Sequence, residues 1–360
     1  MAETYNIDPG PPGHLPPTME LLSSMARGGH DRVVAVSHEA SGLRAFIALH
    51  HLGRGPAYGG IRVWNYRTEA DVLSDALRLS RSMTFKCVLA GVKGGGGKTV
   101  VDANHLTDRP AAMEALGREI EALGGAYQTG PDAGFTEEDR VALAKGTGNL
   151  AHFHGCAQFR SAGEATAEGA EWGIRAALDH MQVMDYPKLT IAIQGLGSVG
   201  GALARRFLKL GCKVIGADIS EAACEAAKAD GVEIIAPSEL FEAPCDVLAP
   251  CALGGTVHDL SISRMRTSVV AGVANNVLGH QQQAELLRDR GILYLPDFVL
   301  NAGALIEGAG YGQTGREDWS EELRGIGKTI TEILQRSEAE DASTMAVAVE
   351  MAKERVELDG

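Results

Sequence analysis

The segment that most restricts the fold is a short apolar run, Leu189-Thr190-Ile191-Ala192-Ile193, followed almost at once by Gly195-Leu196-Gly197-Ser198-Val199-Gly200. A helix-compatible stretch to Leu210 comes next, then a second apolar run at 212–217 that ends on Asp218. An apolar run this short, closed by glycine, is the pattern of a strand buried on both faces. The glycines divide the work: Gly195 permits a tight turn, Gly197 lets a pyrophosphate approach the backbone, and Gly200 lets helix and strand pack closely. The helix N-terminus then offers free N–H groups and a favourable dipole to the phosphates. Asp218, 23 positions after Gly195, stands where a carboxylate takes hydrogen bonds from ribose hydroxyls and repels a 2′-phosphate, which selects NAD over NADP. A glycine-tolerant turn beside an incidental aspartate explains each piece singly, but not the ordered whole.

Further apolar strands are expected near 232–235, 246–249, 268–271 and 292–294, with helical segments between several of them. Strands alternating with helices predict a parallel sheet covered on both faces. The first half reads differently, as mixed α and β. Residues 32–37 and 43–50 predict a β-hairpin with its turn at Glu39-Ala40-Ser41-Gly42, and 53–60 a glycine-rich loop. Thr68-Glu69-Ala70-Asp71 opens a helix carrying Val72, Leu73, Ala76, Leu77 and Leu79 at helical spacing, and 111–123 and 137–144 predict two more. The fold class is therefore α/β: a mixed N-terminal substrate and oligomerisation domain over 1–160 and a Rossmann-type NAD domain over 161–335, with a cleft between them. A C-terminal helix over 336–360 is expected to pack back on the first domain, and the hinge is placed at 151–165.

A second glycine-rich stretch carries charge. Met83-Thr84-Phe85-Lys86 precedes Gly94-Gly95-Gly96-Gly97-Lys98-Thr99, so two lysines stand twelve residues apart across four glycines. Glycine has no packing value and a high conformational-entropy cost, so such a run belongs where backbone must approach something closely. Apolar residues on both sides tie it to buried segments, and the stretch is read as an anion-binding, catalytic loop. A nucleotide phosphate loop would need glycine at position 92, where Val92 stands.

Composition removes several classes. The chain has 360 residues, long enough for two domains, with 45% hydrophobic and 22% charged residues and a net charge of -14. That charge disfavours nucleic acid and anionic membranes as partners. No apolar stretch approaches the roughly 18–20 residues that span a bilayer. Residues 1–17 are polar and proline-rich and read as an extension, not a signal peptide. Six cysteines, Cys87, Cys156, Cys212, Cys224, Cys245 and Cys251, contain no CxxC pair and suit reduced, mostly buried thiols of a cytoplasmic protein. His152 and His154 lack a nearby cysteine or carboxylate to complete a metal site, so no metal is expected.

Several ordered stretches add a resemblance: Gly55-Pro56-Ala57-Tyr58-Gly59-Gly60-Ile61-Arg62, Met83-Thr84-Phe85-Lys86, Gly95-Gly96-Gly97-Lys98, Thr129-Gly130-Pro131-Asp132, Ala249-Pro250-Cys251-Ala252-Leu253-Gly254-Gly255 and Pro296-Asp297-Phe298-Val299-Leu300-Asn301-Ala302-Gly303. Over about 33–356 the chain resembles the Glu/Leu/Phe/Val dehydrogenase family. The resemblance implies reversible, NAD-dependent oxidative deamination of an L-amino acid to its 2-oxo acid and ammonia. It also implies a homo-oligomer, at least a dimer. Carried over by position, Lys86 pairs with the substrate α-carboxylate, Lys98 polarises the carbonyl and activates water beside Cα, and Asp132 exchanges protons with amine and water. Met83, Gly59, Gly60, Tyr58, Gly130 and Asn301 fall in the substrate region. Thr166, Cys251, Ala252, Ala274, Asn275 and Asn301 fall near the nucleotide, although Asn275 and Asn301 equally suit loop caps. A lysine at its ordinary pKa of about 10.4 is only about 0.1% neutral near pH 7.5, so Lys98 needs a lowered pKa to act as a base. Burial and Lys86 lower it, while Asp132 raises it.

The chain departs from the family pattern in three places. Arg160-Ser161-Ala162-Gly163-Glu164-Ala165-Thr166 lacks the usual proline-rich run, Lys93 adds a cation beside the glycines, and the chain stops soon after the last helix. The first two features are the support for a rival reading, a catalytically silent NAD-binding sensor. For the substrate, Tyr58 stands where glutamate-specific members carry a lysine, and an unpaired buried carboxylate is costly. Gly130 enlarges the expected pocket by a methyl. The reading is a large apolar or aromatic L-amino acid, with branched aliphatics second.

Overall fold

The computed structural model describes residues 21–150, 161–252 and 254–358. The extension at 1–17, residues 151–160 of the expected hinge with His152, His154 and Cys156, and Leu253 lie outside them.

The first sheet begins as the hydropathy pattern requires. Strands β1 (Arg32–His38) and β2 (Leu43–Leu49) pair antiparallel with Arg32 opposite Leu49. Their turn is one 3-10 turn, Glu39–Ser41, closed by Gly42 at φ 68°, a left-handed position that glycine adopts without strain. Four further strands complete the six-stranded sheet: β3 (Ala57–Tyr58), β4 (Ile61–Trp64), β5 (Gly95–Asp102) and β6 (Tyr127–Gln128). The order is β1-β2-β5-β3-β6, with β4 also paired to β5. The expected loop at 53–60 therefore contains a strand.

Helix α1 (Glu69–Leu89) packs on this sheet. Thr68 caps it: its hydroxyl accepts from the Asp71 N–H, and the Asp71 carboxylate accepts from the Thr68 N–H at 3.0 Å. That reciprocal cap satisfies two otherwise orphaned donors. The helix runs through Met83, Thr84 and Lys86, so the first lysine sits on a helical last turn.

The glycine stretch is a strand, not a loop. Gly95, Gly96 and Gly97 lie inside β5, and only Gly94, at φ 153°, precedes it. A methyl built on Gly96 would lie 2.1 Å from the Ser80 carbonyl oxygen and 2.2 Å from the Thr84 nitrogen, both in α1. A methyl on Gly95 would reach the His51 carbonyl oxygen at 1.6 Å, and one on Gly97 the Tyr127 ring at 2.6 Å. The glycines let α1 and the neighbouring strands close onto β5. Their N–H groups are taken as well: Gly96 donates to Thr84 Oγ1 at 2.8 Å and Gly95 to the Pro56 carbonyl at 3.1 Å. The backbone here does not bind an anion, and a nucleotide phosphate loop is excluded a second time.

The second sheet has six parallel strands: β7 (Thr190–Gln194), β8 (Lys213–Ala217), β9 (Glu233–Ile234), β10 (Val247–Pro250), β11 (Val269–Val270) and β12 (Leu293–Tyr294). Their order is β12-β11-β10-β7-β8-β9, so the chain winds outward from β7 in both directions. This is the doubly wound arrangement, with a crevice where β7 and β10 part. Helices α2 (Ala162–His180) and α3 (Ser198–Lys209) pack together beside it. Ile191, Ala192 and Ile193 are fully buried, which is why that run is continuous rather than alternating.

Three later helices reach back to the first half of the chain. After α4 (Gly303–Thr314), helix α5 (Ser320–Glu340) packs along α2, and α6 (Thr344–Leu358) packs against α1. Thr329 donates to the Leu89 carbonyl at 3.2 Å, and Arg355 to the Val88 carbonyl at 3.4 Å. One apolar cluster runs from Cys87, Val88 and Leu89 through Ile174 to Ile191 and Ile193. Among the described residues no helix is long and apolar enough to cross a membrane.

Candidate active site

Strand pairing brings the charged residues together. β4 runs parallel to β5 with Ile61 opposite Thr99 and Arg62 opposite Val100. Side chains alternate along a strand, so Arg62 and Lys98 fall on the same face. Pro131 bridges to Ile61, and the Val63 N–H reaches the Ala133 carbonyl at 3.0 Å, which delivers Asp132 beside both cations.

Lys98 is 6% exposed, and its Nζ lies 2.9 Å from Asp132 Oδ2. Arg62 Nε lies 2.8 Å from the same oxygen. Behind Arg62, its Nη1 donates to Asp75 Oδ2 at 3.0 Å, Tyr66 donates to that oxygen at 2.6 Å, and Arg78 holds Asp75 Oδ1 at 2.7 Å. Asp75 and Arg78 are on α1, so a relay of ion pairs runs from that helix to the Lys98–Asp132 pair.

Burial sets the protonation tendencies. It lowers the Lys98 ammonium below the ordinary lysine value despite Asp132, and the cation that adds to burial is Arg62. Burial pushes the Asp132 carboxyl up, but Lys98 and Arg62 outweigh it and hold the group below the usual carboxylate value. Burial pulls Lys86 down to about 8; Lys98 acts in the same direction and Asp297 against it. Among the described residues the Lys86 ammonium has no hydrogen bond or ion pair, so its charge is open to an anion. Asp297 is buried, which raises its carboxyl, although it accepts from the Val277 and Phe298 N–H groups at 2.8 Å each.

Of the expected substrate-side residues, Gly60 lies against Asp132, and the others sit on the neighbouring strands, loops and α1. Tyr58 is 3% exposed, its hydroxyl accepts from Gln313 Nε2 at 2.8 Å, and its ring abuts Gly94. Gln313, on α4, also donates to the Lys93 carbonyl. The Lys93 residue itself is exposed, so its charge is solvated. Gly59 and Gly60 serve close packing: methyls there would reach the Gly97 carbonyl oxygen at 1.7 Å and the Pro131 carbonyl oxygen at 2.9 Å. Gly130 is buried and its carbonyl accepts from the Ile61 N–H at 2.8 Å. Met83 is half-buried on α1, three residues before Lys86.

The nucleotide segment has the geometry a pyrophosphate needs. Gly195 turns at φ 86°, and a methyl on it would reach the Ala252 side chain at 2.6 Å. A methyl on Gly200 would reach the Gly195 carbonyl oxygen at 1.9 Å, so helix and strand are in close contact there. A methyl on Gly197 would meet nothing within 4 Å. Gly197 is also the N-cap of α3 and provides no side-chain cap, which leaves that helix end to a ligand. Asp218 closes β8 with Oδ2 accepting from the Leu196 N–H at 2.6 Å and Oδ1 from the Ser220 N–H at 2.8 Å. NAD fits this cradle. Val199 is the second residue of α3, between Ser198 and Gly200.

The remaining residues gather at the mouth of the crevice. The Cys251 N–H donates to the Gln194 carbonyl at 2.7 Å, and the Ala274 N–H to the Pro250 carbonyl at 3.1 Å. Asn301 Nδ2 donates to Asn275 Oδ1 at 3.0 Å and to the Val273 carbonyl at 3.3 Å, while its buried Oδ1 has no partner. Asn301 thus caps the loop and keeps an acceptor to spare. Thr166 is turned inward, its hydroxyl donating to the Ala162 carbonyl at 2.7 Å within α2.

Four residues of the site carried no assigned role from sequence: Arg62, Asp75, Asp297 and Gln313. Arg62 and Asp297 lie inside the stretches that carry the resemblance, and their residue types were the available signal. Gln313 gave none, because its partner Tyr58 is 255 residues away. Asp75 reads as one more polar position of α1, since its partners Tyr66 and Arg78 are close in the chain but meet it only in the folded structure.

Comparison with known proteins agrees with this geometry. Residues 30–147 match the Glu/Leu/Phe/Val dehydrogenase dimerisation domain, and residues 217–357 match Glutamate/Leucine/Phenylalanine/Valine dehydrogenase. Residues 151–257 match the NAD binding domain of D-isomer specific 2-hydroxyacid dehydrogenase. A leucine dehydrogenase of Thermoactinomyces intermedius is 35% identical over 350 residues, 94% of each chain. A phenylalanine dehydrogenase of the same organism is 35% identical over 353 residues, again 94% of each. The crystal structure of L-tryptophan dehydrogenase from Nostoc punctiforme superposes with a TM-score of 0.83 at 30% identity, covering 94% of this chain and 99% of that one.

Proposed function

The chain belongs to the Glu/Leu/Phe/Val dehydrogenase family, and we propose that Lys98 and Asp132 carry its chemistry while Lys86 holds the substrate carboxylate. The reaction is NAD-dependent, reversible oxidative deamination of an apolar or aromatic L-amino acid to its 2-oxo acid and ammonia. The observation that carries the assignment is the buried 2.9 Å Lys98–Asp132 pair beside Lys86, whose ammonium has no partner among the described residues.

Bound NAD provides the acceptor for hydride from the substrate Cα. Lys86 presents one positive charge to the α-carboxylate and so fixes where that end of the substrate sits. A lysine whose pKa is lowered gives up and takes back its proton more readily than an ordinary one, and burial puts Lys98 in that condition. Asp132, held ionised, accepts from the amine and from water in turn. Asn301, with its free Oδ1, is read as a ligand of the amine or carboxamide at the crevice mouth. In this division residues 1–160 bind substrate, 161–335 bind NAD, and 336–360 pack back on the first domain. Asp218 sets the preference for NAD.

For the side chain, Tyr58 and Gly130 support a large apolar or aromatic group, with branched aliphatics as the second reading. The match to a dimerisation domain supports a homo-oligomer, at least a dimer, and the five free cysteines among the described residues support a cytoplasmic protein. The test is direct. The protein is incubated with NAD and a panel of L-amino acids at alkaline pH, and NADH absorbance is followed. Turnover of phenylalanine, tryptophan or leucine is expected, and no NADH from any L-amino acid refutes the function.

A further inference from the structure

Arg62 is held on both sides. Its Nε contacts Asp132 Oδ2 at 2.8 Å and its Nη1 contacts Asp75 Oδ2 at 3.0 Å. Tyr66 and Arg78 hold Asp75 in turn. The side chain is mostly buried, and a guanidinium fork clamped between two carboxylates has little rotational freedom left. Lys98 Nζ addresses the same Asp132 oxygen as Arg62, so both contacts leave Oδ1 outside.

We propose that Arg62 is a positioning residue of the reaction: by anchoring Asp132 through Oδ2 it leaves Oδ1 as the atom that exchanges protons with substrate and water. This rests on the assignment of Asp132 to proton transfer. It deepens that assignment, because it names the working oxygen and the side chain that selects it. Without the anchor the carboxylate turns about its terminal torsion, which has no sharp minima, and either oxygen meets Lys98.

The charge of Arg62 adds a readout that packing alone does not move. Asp132 faces Lys98 from β5, Arg62 from β4, Lys86 from α1 and the Tyr127 hydroxyl from β6. Arg62 lowers both Asp132 and Lys98. Its removal therefore raises both, and the acidic limb of the deamination profile moves to higher pH whichever of the two groups sets it. An opposite charge at this distance is worth about 1–3 pH units on a carboxyl. At a fixed pH below the limb, kcat/KM then falls about tenfold for each pH unit of movement.

The experiment takes pH profiles of kcat/KM for wild type, Arg62→Gln and Arg62→Lys, with NAD affinity measured by fluorescence quenching as a check on folding. The expected result is unchanged NAD affinity, a limb moved up by about one pH unit or more in Arg62→Gln, and its return in Arg62→Lys. A wild-type limb in an Arg62→Gln protein that binds NAD overturns the proposal and leaves the function standing. If Arg62→Gln does not bind NAD, Arg62→Lys decides: a single ammonium cannot span both carboxylates, so kcat must fall with the amino-acid KM unchanged, and a wild-type kcat overturns the proposal. A wild type with no amino-acid turnover removes the functional assignment and the proposal with it.

Discussion

Along β5 a methyl on Gly96 would stand 2.1 Å from a backbone oxygen of α1, whereas a methyl on Gly197 would meet nothing within 4 Å. The first glycine yields its space to the protein, the second keeps space free for a ligand. Charge is distributed in the opposite sense. The first sheet carries Lys98, Arg62 and Asp132 mostly buried and paired, and the second offers a helix N-terminus without a side-chain cap and one carboxylate, Asp218, bonded to two backbone N–H groups. Fixed, desolvated charge suits proton transfer, and an open helix end suits phosphate. Two glycine-rich segments of similar appearance thus serve opposite purposes.

The sharpest way to break this contrast is to strip the chemistry from one sheet and ask whether the other notices. Lys98→Ala and Asp132→Asn should each lower kcat by about 10²–10⁴-fold with NAD affinity nearly unchanged. Steady-state rates and fluorescence titration with NAD check this; a near-normal rate in Lys98→Ala would remove the mechanism. The glycines come next. Gly96→Ala should cost about 3 kcal/mol of stability, because its contacts are backbone atoms that cannot move aside. Gly197→Ala should leave stability within about 0.5 kcal/mol and weaken NAD binding instead. Denaturant unfolding of the two variants decides, and equal losses of stability would collapse the distinction.

Smaller effects sharpen the picture of the substrate side. Gly130→Ala should reduce kcat/KM for phenylalanine or tryptophan more than for valine, by about 1–3 kcal/mol in discrimination. An equal loss on every substrate would mean that Gly130 places Asp132 and does not shape the pocket. The smallest effect expected is a pH dependence. Lys86, with a pKa of about 8, is charged below that value and neutral above it. The KM for the 2-oxo acid in the reverse reaction should therefore rise above about pH 8, approaching tenfold per pH unit. In Lys86→Arg that rise should vanish, and a KM flat to pH 9.5 in wild type would take Lys86 off the carboxylate.

How far the sequence could be read depended on the range of the interaction. The β7 run, the glycines after it and Asp218 lie within a few dozen residues, and the doubly wound sheet follows from that pattern. The Thr68–Asp71 cap is equally local, and both its hydrogen bonds are present. The glycine run at 94–97 misled for the opposite reason. In isolation four glycines suit a loop, and only contact with α1 and three neighbouring strands makes them a strand. Lys86, Lys98 and Asp132 were nameable through resemblance, but their distances were not. Arg62 and Asp132 are 70 residues apart in the chain and Tyr58 and Gln313 are 255 apart.

What the sequence determined alone is what short-range physics controls: which segments are strands buried on two faces, where a helix begins, and where a glycine turn and then a carboxylate follow such a strand. Burial and register belong to the tertiary structure. Only the packed chain decided that Lys98 is desolvated enough to lose part of its affinity for a proton, and that β4 and β5 align so that Arg62 and Lys98 share one oxygen of Asp132. Periodicity and capping are written in neighbouring residues, but the dielectric around a charge is set by everything that folds over it.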